Sequence, residues 1–119
     1  MSPAEFQSVA ATELAKHYGK QLGQKRIPVG GAWKEFDYVS ADREITGDAK
    51  FYSDCRSPSG KLATISECVF LLEKCSANHK FIIFGNNIEV PKRWLRRYQS
   101  LLNRITFYFL DGAGLKRLN

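Results

Sequence analysis

Cysteine is scarce in this chain, and the residues present are not arranged for cross-linking. Only Cys55, Cys68 and Cys75 occur, and no two form a CxxC pair. An odd count without that spacing argues against a disulfide framework and against a structural zinc site. The expected setting is therefore reducing and cytoplasmic. Long apolar runs are absent as well. Candidates such as residues 81–84 and 105–110 fall far short of the roughly 18 residues that a membrane span needs. Met1-Ser2-Pro3-Ala4-Glu5 shows no basic stretch ahead of an apolar block, so no secretory signal is expected. Repeats, low-complexity segments and linkers are missing too, which predicts one domain over residues 1–119. Acidic residues are the minority: 12 Asp and Glu face 18 Lys and Arg, a formal charge of +6. A small basic domain attracts polyanions, of which nucleic-acid phosphate is the usual one.

What is present reads as alternating elements. Ser2 can cap a helix, Pro3 suits its first position, and Glu5 completes a capping box. Phe6, Val9, Ala10, Leu14 and Tyr18 then recur at helical spacing, until Gly19. Residues 24–31 read as a basic, glycine-containing loop. Residues 33–40 and 45–52 read as two strands joined by a turn at 41–44, which makes a hairpin. A loop over 53–61 precedes a helix over 62–77. The continuously apolar Phe81-Ile82-Ile83-Phe84 has the pattern of a central buried strand. Pro91 opens a third helix running to about Leu102, and residues 105–110 form the last strand. The tail from Asp111 reads as frayed. The expected fold is α/β: a mixed central β-sheet flanked by helices, in the order helix, hairpin, helix, strand, helix, strand.

The hairpin carries the chemistry. Alternation along a strand puts Asp48 and Lys50 on one face. With the turn centred between Asp42 and Arg43, Asp37 lies opposite Asp48, and Glu35 opposite Lys50. Opposed side chains have Cβ atoms roughly 4.5–5.5 Å apart, and two carboxylates that close repel. Lys50 or a divalent cation must offset the repulsion. Mg²⁺ takes oxygen ligands and keeps several waters, so two carboxylates and a backbone carbonyl suit it. Such an ion polarises a phosphoryl oxygen, and a neighbouring lysine can position the attacking water or stabilise the attacked phosphate. In the bland alternative, Glu35 and Lys50 form an exposed cross-strand pair without function.

Phe36-Asp37, then Gly47-Asp48-Ala49-Lys50 on consecutive strands, resembles the PD-(D/E)XK nuclease superfamily. That superfamily takes in restriction endonucleases, junction resolvases, repair nucleases and some toxin nucleases. The resemblance covers about residues 3 to 84. It implies a restriction-endonuclease-like core and a Mg²⁺- or Mn²⁺-dependent endonuclease cutting nucleic acid, DNA ahead of RNA. It makes Asp37 and Asp48 metal ligands, with the Ala49 carbonyl as a further ligand, and Lys50 the catalytic lysine. Many members add a glutamate from the first helix. Glu13 is the candidate here, while Gln7 stands where some members carry theirs. Phe36 replaces the proline of the motif's name, and Asp48 the commoner glutamate. A homodimer, which would serve two-strand cleavage, is a further expectation drawn from the family.

The remaining residues are weighed against plainer roles. Lys92, Arg93, Arg96 and Arg97 make a basic helical face suited to phosphate contacts, and Lys25 and Arg26 are a second, weaker set. His17 and His79 read as structural or surface residues. Trp33 and Trp94 read as core rather than as base-stacking platforms, and Cys68 and Cys75 read as core too. Ser66 and Glu67 are candidates to face the site from the second helix. The competing readings are a non-catalytic module binding nucleic acid or a protein, and a toxin nuclease domain.

Overall fold

The computed structural model describes residues 1–54 and 56–119. The part of the cysteine reading that concerns Cys55 lies outside the described residues. In chain order the elements are α1 (Pro3–Tyr18), β1 (Leu22–Val29), β2 (Ala32–Ser40), β3 (Ile45–Phe51), α2 (Pro58–Lys74), β4 (His79–Gly85), α3 (Glu89–Tyr98), a 3₁₀ turn (Gln99–Leu101), β5 (Ile105–Asp111) and β6 (Gly114–Arg117). The six strands form one mixed sheet in sequential order. β3, β4 and β5 run parallel, and antiparallel hairpins extend the sheet at both sides. The expected α/β architecture with a mixed, helix-flanked sheet is the one observed. Among the described residues no helix is long and apolar enough to cross a membrane.

The parallel strands need crossovers, and α2 and α3 supply them. Both pack on one face of the sheet. There Leu62, Ile65, Cys68 and Leu72 of α2 and Trp94 and Leu95 of α3 meet Phe36, Ile82, Phe84 and Phe107. α1 covers the other face, placing Phe6, Ala10 and Leu14 on Tyr38, Phe81, Ile83 and Tyr108. Residues 81–84 feed both layers alternately and are fully buried, which is why the run is apolar at every position. The Ser2 hydroxyl caps α1 by accepting the Glu5 N–H at 3.2 Å.

Several segments depart from the sequence reading. α2 starts at Pro58, inside the expected 53–61 loop, and ends at Lys74 rather than 77, while α3 starts at Glu89, ahead of Pro91, and ends at Tyr98, a 3₁₀ turn completing the stretch expected to reach Leu102. Residues 24–31 are not a loop. They form most of β1 and a tight turn at Gly30-Gly31, where Gly30 has φ +62°. Only Ile27 and Val29 of that stretch enter the core, so the alternation is masked by Lys25 and Arg26. Pro28 is tolerated because β1 is an edge strand. The tail is not frayed either. β6 pairs with β5, and the Asn119 side chain accepts the Phe107 N–H at 2.8 Å and donates to the Ile105 carbonyl at 3.0 Å. Trp94 is core, but Trp33 is 58% exposed on the β1–β2 hairpin.

The turn that sets the β2–β3 register is rigid. The Ser40 hydroxyl donates to Asp42 at 2.6 Å and accepts the Ile45 N–H at 3.1 Å, while Asp42 also accepts the Glu44 N–H at 3.1 Å. Tyr38 pairs with Gly47 and Val39 with Thr46, the register expected from the sequence. Gly47 is required by packing. A Cβ there would sit 2.5 Å from the Phe81 ring, which is held between the rings of Tyr18 and Tyr38. Gly47→Ala should therefore destabilise the protein by about 1–3 kcal/mol, the usual cost of overpacking a core. Urea unfolding checks this, and a variant as stable as the parent would contradict the packing account.

Candidate active site at a fork in the sheet

β2 and β3 pair at two positions and then separate. The cause is visible on the other side of β2. Gly23 pairs with Val39 and Lys25 with Phe36, so Asp37 and Tyr38 together oppose the single residue Gln24. This is a β-bulge, and bulges bend a strand and re-aim its side chains. Phe36 and Val39 both join the α2 face while Tyr38 turns to the α1 face. The β1–β2 hairpin thereby leaves β3, and the acidic pair sits at the base of the resulting fork.

At that base the ladder is replaced by side chains. The Asp37 N–H donates to Asp48 Oδ1 at 2.9 Å, and the Ala49 N–H donates to Asp37 Oδ2 at 2.9 Å. Each carboxylate thus satisfies a backbone donor that the parting strands would leave unpaired. A strand residue directs its N–H and C=O to the same edge, so the Ala49 carbonyl also faces the fork. Asp48 is nearly buried, with its side chain 7% exposed. Its Oδ2 accepts the Cys68 thiol at 3.5 Å and lies 3.7 Å from the Lys34 ammonium. Lys34 in turn donates to the Glu35 carbonyl at 2.8 Å and lies over the Phe36 ring.

The electrostatics follow from this crowding. Burial pushes the Asp37 carboxyl above the usual range, the Ala49 N–H opposes that, and the Asp48 charge adds to it. Tyr38 is pushed up to about 12, by burial first and then by both aspartates. Burial also drives the Cys68 thiol far up, with Asp48 reinforcing the effect. Cys68 therefore stays a protonated donor and is no nucleophile.

Lys50 shares the Asp48 face, two residues on, and is half-buried opposite Phe84. Its charge is felt at Cys68. The exposed Glu35–Lys50 pair of the bland alternative does not form. The β2–β3 ladder ends short of both residues, and Glu35 pairs with Arg26 on β1. Glu13 is not brought to the aspartates. It contacts Lys16 at 3.6 Å and lines a groove beside Tyr108 and Arg117. It does point toward the sheet like Phe6, but seven residues of helix carry it roughly 10 Å further along. Gln7 is the α1 residue that reaches this region. It lines a cleft of about 380 Å³ with Asp37 and Gln24, and its carbonyl accepts the Tyr38 hydroxyl at 3.0 Å.

Lys34 and Cys68 are the contacts that sequence reasoning missed. Cys68 was assigned correctly to the buried side of α2, the side that meets the strand bearing Asp48. Lys34 was hidden because the strand β1 was not recognised: pairing with Ile27 puts it on the α2 face. Ser66 and Glu67 are exposed on α2, and Ser66 accepts the Trp94 indole N–H at 2.9 Å instead. Arg93, Arg96 and Arg97 line a groove of about 590 Å³ with Pro58 and Ser59, and Lys92 is half-buried beside them. Lys25 and Arg26 lie on opposite faces of β1.

The donor set meets the needs of one hard divalent cation. Asp37 Oδ1 accepts no hydrogen bond among the described residues, and Asp48 Oδ2 is held only by a weak thiol donor and a lysine. Mg²⁺ is commonly held by one or two carboxylates with waters filling the rest. Among the described residues no three His, Cys, Asp or Glu side chains converge as a metal cage. No family model, curated protein or solved structure matches the chain.

The raised Asp37 carboxyl has a consequence for stability. The folded state holds that proton more tightly than the unfolded chain, so stability falls as pH rises past the ordinary aspartate value. Asp37→Asn keeps an acceptor for the Ala49 N–H and removes the charge. In metal-free buffer it should melt above the wild type at pH 7, with the gain vanishing below about pH 4. Melting curves at both pH values decide it; a variant less stable than wild type at pH 7 would refute the assignment.

Proposed function

We propose that this chain is a divalent-metal-dependent nuclease with a restriction-endonuclease-like core. The observation that carries the reading is the convergence of Asp37 and Asp48 at the base of the fork, with Lys50 on the same face. Hydrolysis of a phosphodiester needs a held cation, an activated water and positive charge at the attacked phosphate. The two carboxylates and the Ala49 carbonyl would hold Mg²⁺ or Mn²⁺, which supplies Lewis acidity toward the phosphate and lowers the pKa of a bound water. Lys50 stands beside Asp48 to orient the water or neutralise the phosphate. Gln7 offers an amide where a helix carboxylate would otherwise stand. The arginines of α3 supply the phosphate contacts that keep a nucleic-acid strand on the protein.

A second reading, a nucleic-acid-binding module without catalysis, draws on a specific contact. Lys34 already offsets the charge of Asp48 without any metal. Metal dependence separates the two readings. With Mg²⁺ or Mn²⁺, the wild type should cut at least one of plasmid, single-stranded DNA and RNA, and EDTA should abolish cutting. Asp48→Asn and Lys50→Ala should each lose roughly 100-fold or more in rate while keeping the nucleic-acid affinity. Cleavage that survives EDTA, or that Lys50→Ala leaves intact, defeats the proposal. Metal-free binding should depend on the α3 face. Replacing both Arg96 and Arg97 by Gln should weaken it and reduce the slope of log K against log salt by about 2. An unchanged slope would remove α3 from the interface.

A further inference from the structure

The β1–β2 hairpin, one arm of the fork, carries an aromatic ring that the core does not use. Trp33 is 58% exposed, whereas the other tryptophan, Trp94, is 2% exposed and bonded to Ser66. Tryptophan is highly buried on average, so an indole left in water on a well-formed strand needs an explanation. The arm that holds it is stiff. Val29 pairs with Ala32 across the Gly30-Gly31 turn, and Trp33 pairs with Pro28. The arm is also basic. Lys25, Arg26 and Lys34 face one carboxylate, Glu35, within residues 24–36. Lys25 and Lys34 lie on the α2 face, while Arg26 shares the Trp33 face.

We infer that Trp33 is a stacking platform for an unpaired base, so that the substrate is single-stranded or frayed near the cut. The inference rests on the nucleic-acid reading of the same fork and narrows it. Cations on both faces of the arm attract a phosphate backbone, and an open indole face offers a base its stacking partner. Bases inside a duplex already stack on one another, so only a strand with free bases can use the ring. Trp33 lies four residues before Asp37, roughly 13 Å along the strand, which places the stacked base within a few nucleotides of the acidic pair.

Tryptophan emission gives a direct test, because Trp94 is shielded in the core and Trp33 is the exposed fluorophore. Full-length protein is titrated in EDTA with a short oligothymidine and with a blunt duplex of equal length. The expected result is quenching by the single strand and little by the duplex. Trp33→Ala should lose roughly tenfold in affinity for the single strand and almost none for the duplex, while Trp33→Phe keeps most of the affinity. Melting temperatures near that of the wild type would show both variants folded. Absence of quenching by the single strand, or equal weakening for both ligands in Trp33→Ala, overturns the inference. The two readings fail separately. Mg²⁺-dependent cleavage of duplex without single-strand quenching leaves the nuclease standing and removes the platform. Quenching that persists in wild type and Asp48→Asn, with no cleavage of any substrate, keeps the platform and removes the hydrolase.

Discussion

Two carboxylates held together where two strands of a nonpolar sheet part are the constraint around which this molecule is arranged. A buried ionised carboxylate is costly unless it is hydrogen-bonded and charge-matched, and a second one beside it raises the cost. The structure meets that cost with groups from three elements. Backbone N–H donors come from the parted strands, a thiol comes from α2, and an ammonium comes from the hairpin arm. The bulge in β2 makes this possible, since without the extra residue Asp37 would stay in the ladder and its N–H would pair with backbone. Gly47, flush against Phe81, lets β3 approach closely just before the strands part. Both features lie within the segments that carry the Phe36-Asp37 and Gly47-Asp48-Ala49-Lys50 signatures.

Such an arrangement is hard to explain by stability alone. Replacing a buried charged cluster by apolar side chains of similar volume is often neutral or stabilising. Here the cluster sits next to Ile82, Phe84 and Phe36, surroundings that would accept such side chains. Charge gathered at one place in an otherwise well-packed domain is the mark of a candidate functional site. The rest of the fold supports that site from behind. β4, buried on both faces, is the wall against which β3 is registered, and α2 closes the side on which Asp48 points.

The sequence disclosed this plan unevenly, for physical reasons. β4 was legible because a strand buried on both faces must be apolar at every position. The register of β2 on β3 was legible because the Ser40–Ile45 turn is short and ringed by its own hydrogen bonds. β1 was not, because an edge strand with one face in water shows few core residues, here Leu22, then Ile27 and Val29 split by Pro28. β6 was not, because its anchor is the side chain of Asn119, a residue with no strand signature. Glu13 was misplaced because helical periodicity gives direction but not distance along the axis: Glu13 points toward the sheet but acts at β5, while Gln7 reaches β2. Trp33 departs from the core reading because it sits near the tip of the β1–β2 hairpin, opposite Pro28, where it is 58% exposed.

Lys34 is where the competing demands on the site meet. Its ammonium is 3.7 Å from Asp48 Oδ2, close enough to neutralise one of the two charges, yet a third of its side chain is in water. Like Lys50 it carries positive charge to the fork, but from the opposite arm. A divalent ion ligated roughly 2 Å from the same oxygen would bring like charges within a few ångströms of each other. Besides Asp48, the Lys34 ammonium contacts one carbonyl and the face of Phe36, contacts that a flexible lysine can exchange for water at small cost. In the structure the ammonium lies on the aspartate, so a cation bound at the proposed site would have to displace it. On the proposed reading, a divalent cation and the Lys34 ammonium are alternatives at one carboxylate oxygen, and their mutual repulsion makes binding of the one weaken the hold of the other.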